Sequence, residues 1–146
     1  MYQVKIFNGP ADKDGTVIQS ADAFGHKVDA KGLKLGINTI NSFAFDLTPA
    51  NPGYALIKPK TTLIEVLDVP ANEIVFRGRA LSPEDSQAET MLVSASFLFV
   101  SELDYLHDSI QEFKKVQNTS PKQFLTDILN VHNGQVEDYK KFYIGE

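Results

Sequence analysis

The residues of this sequence with the widest chemical range are its histidines, since imidazole binds metals and exchanges protons near neutral pH. His26, His107 and His132 form no H-E-x-x-H motif, and none stands beside a cluster of other metal ligands. The chain has no cysteine, which excludes disulfides, Cys-based zinc sites and thiol chemistry. The sequence therefore predicts no metal site and no cofactor-binding site.

The segment around His107 is the one place where a catalytic arrangement can be considered. Asp104 lies three residues before His107, which puts both on one face of a helix, and Asp108 and Ser109 follow directly. A Ser–His–Asp hydrolase site is one interpretation, but a triad is defined by its arrangement in space and these residues are merely consecutive. A solvated helix end is the favoured interpretation, and we predict no catalytic residues.

Two loops resemble ligand-binding loops only in part. Asp12, Asp14 and Gly15 begin like a calcium loop, but the glycine comes too early for an EF-hand and Ala21 stands where the final Glu is needed. We interpret this segment as a hairpin turn. Residues 32–36 (GLKLG) lack the Gly-Lys-Ser/Thr ending of a phosphate-binding loop.

Arg77 and Arg79 alternate along one extended run, so both project from the same face of a strand. Arginine pairs with carboxylates through two parallel hydrogen bonds, and the two side chains could therefore bind an acidic partner across an interface. A solvated strand face is the favoured interpretation.

The elements that would position these residues change character near residue 100. Before it, short apolar alternations are separated by Gly, Pro, Asn and Asp, as is typical of antiparallel sheets. We predict six or seven strands in a small barrel or sandwich. The main runs are 2–7, 17–18, 37–47, 61–69, 74–81 and 91–100. The last run predicts a strand buried on both faces, and 82–89 predicts a polar loop.

Helical signals dominate the remainder. Ser101 is a candidate N-cap for a short helix at 102–108. A second helix is predicted at about 120–132, with Thr119 or Ser120 as its cap, Pro121 in its first turn and Gly134 at its end. An extended run follows at 136–144.

These signals predict a mainly β, α+β chain in two parts. The division falls near residue 100, where the alternating runs end and the helical signals begin, and the extended run at 136–144 would start a further strand. Because the chain ends as that strand begins, we expect it to be a fragment of a longer protein.

Composition restricts the function further. The chain has 146 residues and a formal charge of −5, which argues against binding to nucleic acid. Its longest apolar run, 91–100, has ten residues, whereas a membrane-spanning helix needs about 20. We therefore predict no membrane segment.

Several phrases of the sequence are more distinctive than any chemical motif. They are 37–45 (INTINSFAF), 51–54 (NPGY), 57–64 (IKPKTTLI), 76–81 (FRGRAL), 101–111 (SELDYLHDSIQ), 120–125 (SPKQFL), 132–133 (HN) and 141–146 (KFYIGE). In this order and spacing they resemble the N-terminal region of the prophage endopeptidase tail family. These are the tail-associated lysins, or tail-tip hub proteins, of long-tailed phages and prophages of Gram-positive bacteria. The resemblance covers nearly the whole chain and is weakest over 8–30.

The resemblance implies a structural role at the virion tail tip, after synthesis in the bacterial host cytoplasm. Family members are similar to baseplate hubs, in which a homotrimeric ring closes the distal end of the tail tube. The resemblance implies that residues 1–118, with the short helix near 102–108, are one β-barrel hub domain. It also implies that 119–146 begin a second, inserted domain, with a helix at about 120–132 and then a strand. The implied partners are the distal tail protein and the tail-tube and tape-measure proteins. Longer members carry a peptidoglycan-cleaving region, none of which matches this chain, so the resemblance implies no enzymatic activity here.

Two alternatives from other functional classes remain. One is a cell-wall endopeptidase, which a hydrolase motif past residue 146 or cleavage of peptidoglycan by this chain would favour. The other is a carbohydrate-binding module for the host wall. Exposed aromatic side chains lining a groove would favour that module, and the lack of tryptophan counts mildly against it.

Overall fold

Antiparallel strands make up most of the first hundred residues in the computed structural model. The structure describes residues 1–81, 93–112 and 117–145, together with the backbone of 84–87. The strands are β1 (Tyr2–Phe7), β2 (Thr16–Gln19), β3 (Asp29–Lys34), β4 (Ser42–Leu47), β5 (Leu63–Asp68), β6 (Glu73–Ala80), β7 (Glu84–Gln87) and β8 (Val93–Ser101).

The strands form one curled sheet in the order β2-β1-β5-β6-β8-β4-β3, and every neighbouring pair is antiparallel. Strand β7 pairs with the first half of β8, and the end of β6 pairs with the second half of β8. The order begins at β2 and ends at β3, so over the described residues the sheet is an open half-barrel. The prediction of a mainly β, α+β chain with antiparallel strands followed by two helices is confirmed, and the predicted small barrel or sandwich is a half-barrel over the described residues.

Alternating side chains give the sheet one apolar face. Strand β4 buries every second residue, and β1 and β5 follow the same period. The centre of this core is aromatic: the ring of Phe45 stacks on that of Phe99 at 5.5 Å and contacts Phe43 at 5.0 Å. Both Phe45 and Phe99 are completely buried. The core side chains are Val4, Ile6, Ile18, Phe43, Phe45, Leu47, Ile57, Ile64, Val66, Phe76, Ala80, Ala95, Phe97 and Phe99.

Two buried polar residues close the connection between β4 and β5. The Asn51 amide donates to the carbonyl oxygens of Ile18 (2.8 Å) and Lys27 (3.0 Å), which joins this connection to β2 and the loop after it. The Thr62 hydroxyl, which is fully buried, accepts a hydrogen bond from the Lys58 amide at 2.8 Å. These side chains satisfy backbone groups that would otherwise be buried without partners.

The structure differs from the sequence-based prediction in several strands. Strand β3 was not predicted, because its DAKGLK sequence lies mostly exposed at the sheet edge and carries no apolar alternation. Residues 84–87, predicted as loop, pair with β8 as β7. Strand β8 begins at Val93 and has exposed and half-buried positions, so its predicted burial on both faces is wrong. Residues 91 and 92 of that prediction lie outside the described residues.

The helical part contains a 3₁₀ helix at Glu102–Asp108 and α1 at Pro121–Asn133. The predicted start of α1 is confirmed: the Ser120 hydroxyl accepts a hydrogen bond from the Gln123 amide at 3.2 Å, and Pro121 occupies the first turn. Gly134 is the C-cap. The Ser101 hydroxyl accepts instead from the Asn41 amide at 3.0 Å, within the sheet domain.

The chain divides into two compact units, Met1–Leu103 and Asp104–Glu146, whereas the family resemblance implied a division after residue 118. The reason lies in residues 109–111, whose hydrogen bonds run to α1 and the segment after it. The strand predicted at 136–144 is replaced by a 3₁₀ helix, Asp138–Lys140, and by chain without regular structure. In this segment the backbone N–H and carbonyl of Phe142 form hydrogen bonds with the Asn133 side chain rather than with a strand.

Candidate functional site

His132, in the last turn of α1, is the most enclosed polar side chain of the second unit, with no exposed surface. Its Nδ1 lies 2.8 Å from the Ser109 hydroxyl and its Nε2 lies 3.1 Å from the Lys140 carbonyl oxygen. Its ring also packs on Phe142, with centroids 5.5 Å apart. Because a carbonyl oxygen can only accept, Nε2 carries a proton. The Ser109 hydroxyl, which faces Nδ1, also donates to the Leu106 carbonyl oxygen at 3.3 Å.

A serine hydroxyl beside an imidazole nitrogen is the pairing that hydrolases use to activate a nucleophile. In this chain, however, His132 is completely enclosed and both its nitrogens are engaged within the unit. A general base must reach the proton it takes in a plausible substrate pose. The geometry therefore assigns the Ser109–His132 pair to holding the chain around Lys140 against α1.

Amide side chains repeat this type of contact nearby. The Asn133 amide accepts from the Phe142 N–H at 2.9 Å and donates to the Phe142 carbonyl oxygen at 2.8 Å. Gln135 makes the same two contacts with the backbone of Ile110, both at 3.0 Å. Each side-chain amide makes the two backbone hydrogen bonds that a residue of a neighbouring strand would make. Side-chain-to-backbone hydrogen bonds therefore stabilise the second unit.

The residues considered for a triad do not converge as one. His107 Nδ1 lies 2.9 Å from an Asp104 carboxylate oxygen, as their spacing on one helix face predicts, but the His107 side chain is 70% exposed. Within the described part of the chain, Ser109 bonds to His132 and to the Leu106 carbonyl, not to His107. The Ser109–His132 contact joins residues 23 apart, and no local pattern in the sequence indicates it.

Among the described residues of the second unit, Lys140 is the cation with the most ionic and aromatic contacts. Its ammonium lies 3.3 Å from Asp108 and 3.4 Å from Glu137, and 5.3 Å from the ring centroid of Tyr139. Burial lowers the pKa of Lys140, but the neighbouring Tyr139 oxygen and the two carboxylates outweigh it, and the net pKa is raised. The group is therefore a fixed positive charge, suited to holding the segment and unsuited to proton transfer at neutral pH.

The interpretation of Asp12, Asp14 and Gly15 as a hairpin turn is confirmed. The Asp12 carboxylate accepts hydrogen bonds from the amides of Asn8 (2.9 Å) and Gly15 (3.1 Å) across the connection from β1 to β2. These bonds lower the pKa of Asp12. Gly15 adopts φ +64°, which glycine reaches without steric cost. Over the described residues, no group of three His, Asp or Glu side chains is arranged to hold a metal ion, and His26 is exposed.

The outer face of β1, β5 and β6 carries a row of alternating charge. Glu65 lies opposite Lys5 on one side and opposite Arg77 on the other, and Arg77 Nε bonds Glu65 at 2.8 Å. A bulge in β6 pairs Ile74 with Leu67, which brings Ile74 to this face. A shallow groove of about 160 Å³ is lined by Gln3, Lys5, Glu65, Leu67 and Ile74.

The two arginines of β6 differ despite sharing this face. The Arg77 side chain is half exposed, as the interpretation of a solvated strand face predicts. Arg79 is only 2% exposed, and for this residue the prediction of a solvated position is wrong. It lies between Leu63 of β5 and Val100 of β8, in the part of β6 that joins the two halves of the sheet.

A second polar row crosses β3, β4 and β8. Lys31 bonds Asp46 at 3.1 Å, and the Ser96 hydroxyl donates to Asp46 at 2.7 Å. Burial raises the pKa of Asp46, but the Ser96 hydrogen bond and the Lys31 charge outweigh it and the net pKa is lowered. An open groove of about 550 Å³ adjoins this row and is lined by Lys27, Val28, Asp29, Asp46, Thr48, Val93 and Ser94.

Apolar side chains are also presented to solvent at several loops. Among the described residues of the sheet unit, Phe24 and Ile37 are the most exposed large apolar side chains, at 104% and 92%. Ile110 and Tyr143, each 80% exposed, are their counterparts in the second unit. None of the exposed aromatic side chains of the described residues lines one of the two grooves given above.

No protein-family model matches the chain, and no curated protein or solved structure matches it either. Over the residues that the structure describes, no helix has the length and apolar character needed to cross a membrane.

Proposed function

We propose that this chain is a structural protein of a phage or prophage tail tip, a baseplate hub that closes the distal end of the tail tube. In this proposal it acts by homotrimeric assembly and by docking to the distal tail protein. It works through shape and surface contacts, without catalysis.

The observation that carries the proposal is where the family-like phrases fall in the fold. They contain residues that the sheet cannot exchange freely: Asn51 and Thr62 hold buried backbone groups, and Gly53 and Gly78 stand where a Cβ would meet Ile18 or the Val100 carbonyl. A resemblance confined to surface positions would arise more easily by chance. Here three of the phrases, 51–54, 57–64 and 76–81, include residues that determine the geometry of the half-barrel.

The sheet edges favour one mode of assembly. Strand β2 has only four residues, and β3 carries a bulge at Lys31 together with a second lysine, Lys34. Short strands, bulges and lysines keep sheet edges from pairing with other chains. We therefore propose that neighbouring subunits meet through the outer sheet face and the exposed loops around Phe24 and Ile37, where apolar side chains are already presented to solvent.

Immunogold electron microscopy tests the location. Particles are induced from the bacterial strain that encodes this sequence, and antibodies raised against the purified chain are applied to them. We expect label at the distal end of the tail. Label on the capsid or along the tail shaft, or antibody recognition of host proteins alone, would contradict the proposal.

Two further measurements separate the proposal from its alternatives. Release of soluble fragments from purified Gram-positive peptidoglycan by the chain would identify an endopeptidase, and retention on intact cell-wall glycan would identify a carbohydrate-binding module. The hub proposal expects neither. It expects instead that the chain binds the purified distal tail protein encoded in the same prophage in a pull-down.

A further inference from the structure

The sequence contains two Asn-Gly dipeptides, Asn8-Gly9 and Asn133-Gly134, and they differ in how their side chains and amides are hydrogen-bonded. Asn-Gly is the dipeptide in which asparagine loses its side-chain amide nitrogen most readily, because glycine has no side chain to hinder the attack of its own backbone nitrogen. We propose that Asn8 is a site of spontaneous modification, converting to aspartate and isoaspartate in the folded protein, and that Asn133 is protected by the fold.

The chemistry requires only water and hydroxide. Hydroxide removes the proton of the Gly9 amide, and the nitrogen attacks the side-chain carbonyl carbon of Asn8. The new nitrogen–carbon bond closes a five-membered succinimide, and the side-chain nitrogen leaves as ammonia. Water then opens the ring at either carbonyl, which gives aspartate when one bond breaks and isoaspartate when the other does.

The surroundings of Asn8 leave this reaction open. Asn8 is exposed, and its hydrogen bond to Asp12 is made by its backbone N–H, which leaves the side chain outside that contact. Gly9 is buried, but its N–H donates to no group among the described residues, and it adopts φ +98° with nothing within 4 Å of the place where a Cβ would lie. The attacking nitrogen and the attacked carbon can therefore approach each other through local motion of the turn.

In the Asn133-Gly134 dipeptide at the end of α1, both reacting groups are hydrogen-bonded. The Asn133 side chain is fixed by two hydrogen bonds to the backbone of Phe142, at 2.8 and 2.9 Å. The Gly134 amide donates to the Asn130 carbonyl at 3.1 Å as part of the helix cap. Both groups must be released before the ring can close, so the reaction at Asn133 has to wait for opening of the helix end.

The reaction at Asn8 changes the turn that leads to β2. The backbone N–H of Asn8 closes this turn by donating to the Asp12 carboxylate. Isoaspartate inserts an additional carbon into the main chain at that point, and either product adds a negative charge beside the Asp12 carboxylate. We expect the modified chains to separate from the unmodified chain on anion exchange.

The test is incubation of the intact chain in mildly alkaline buffer, followed by proteolytic mapping with mass spectrometry and enzymatic detection of isoaspartate. We expect Asn8 to convert at least about tenfold faster than Asn133, since each hydrogen bond that must open at Asn133 slows the reaction. In guanidinium-unfolded chain the two rates should become similar. Asn8→Gln should abolish conversion at residue 8 and leave the rate at Asn133 unchanged.

Two results would overturn the proposal. One is a rate at Asn133 in the folded chain that equals the rate at Asn8. The other is an Asn8 that stays unmodified in the folded chain while it converts in the unfolded chain. Neither result bears on the proposed tail-tip function.

Discussion

The two units of this chain are stabilised by different means. In Met1–Leu103 the enclosed side chains are mostly apolar and meet across the strands, as Phe45 and Phe99 do. In Asp104–Glu146 the most enclosed side chain is His132, and the contacts that hold the chain together run from polar side chains to backbone. Meanwhile Phe124 and Leu125, on the apolar stripe of α1, remain about half exposed.

This difference determines what a substitution removes. Apolar burial is worth about 25 cal/mol per Å², so a large side chain in the sheet core contributes several kcal/mol. A single hydrogen bond contributes only about 1 kcal/mol net, but its loss leaves a buried partner unsatisfied at a cost of about 1–3 kcal/mol. We expect the sheet unit to be sensitive to changes in volume and the second unit to be sensitive to the loss of particular polar groups.

Phe45→Ala should give the largest effect. The ring is completely buried and contacts Phe43, Phe97 and Phe99, so its removal leaves a cavity in the aromatic centre. We expect a loss of about 3–5 kcal/mol in the free energy of unfolding, measured by urea denaturation followed by circular dichroism. Phe24→Ala removes the same side chain from a fully exposed loop position and should cost less than about 0.5 kcal/mol. Equal losses in the two variants would contradict the assignment of the core.

Gly78→Ala tests the close approach of β6 to β8. A Cβ at this position would overlap the Val100 carbonyl oxygen, which is backbone and cannot rotate away. The two strands must separate where they pair, and we expect a loss of about 1–3 kcal/mol.

Gly32→Ala is the matched control for this substitution, because β3 has open space where that Cβ would lie. It should leave the unfolding midpoint almost unchanged. If Gly78→Ala is tolerated equally well, β6 and β8 do not approach as closely as described.

His132→Ala should affect the second unit. It removes both hydrogen bonds of the ring and leaves the Lys140 carbonyl and the Ser109 hydroxyl without this partner. We expect a loss of about 2–4 kcal/mol in that unit, seen as faster hydrogen exchange along α1 with little change in the sheet.

His107→Ala is the corresponding control, since its side chain is 70% exposed and its pairing with Asp104 is a surface contact. Exchange along α1 should stay close to that of the parent chain. Equal acceleration by both variants would show that enclosure of His132 has no special importance.

Much of the fold follows from patterns within single segments. Strands β1, β4, β5 and β6 are apparent from alternation, because each lies between solvent and the one apolar core. Strands β3 and β7 are not apparent from the sequence. Strand β3 is an exposed edge strand, and β7 is recognisable only by the pairing of its backbone with β8. The ends of α1 follow from Ser120 and Gly134, whose effects are local.

The contacts of the candidate site depend on tertiary structure and could not be predicted in the same way. Ser109 meets His132 only because the segment before α1 lies along the helix, and no local pattern encodes that arrangement. Arg79 follows the same two-residue period as Arg77, yet only Arg77 remains at the surface. The period determines the face of a strand, whereas burial on that face depends on neighbouring strands.

The smallest expected effect tests whether polar contacts matter less on the outer face of the sheet unit than inside the second unit. Asp46→Asn weakens its contacts with Lys31 and Ser96, which are partly exposed, so the loss at neutral pH should be at most about 1 kcal/mol. The folded-state pKa of Asp46 lies below its ordinary value of 3.8, so the carboxylate stabilises the fold above that pH. This contribution disappears as the pH falls through the lowered pKa. The difference in Tm between parent and variant should therefore be present at neutral pH and shrink below about pH 4.

Asp29→Asn provides the control for this pH dependence, because Asp29 bonds the same lysine at 2.9 Å with a side chain that is 72% exposed. Its effect on Tm should be smaller than that of Asp46→Asn at neutral pH. A difference between parent and Asp46→Asn that grows as the pH falls would reverse the sign of the argument. If Asp46→Asn lowered the free energy of unfolding as much as His132→Ala, the proposed difference between the two units would be wrong. The outer face of the sheet would then be as sensitive to the loss of a polar contact as the second unit.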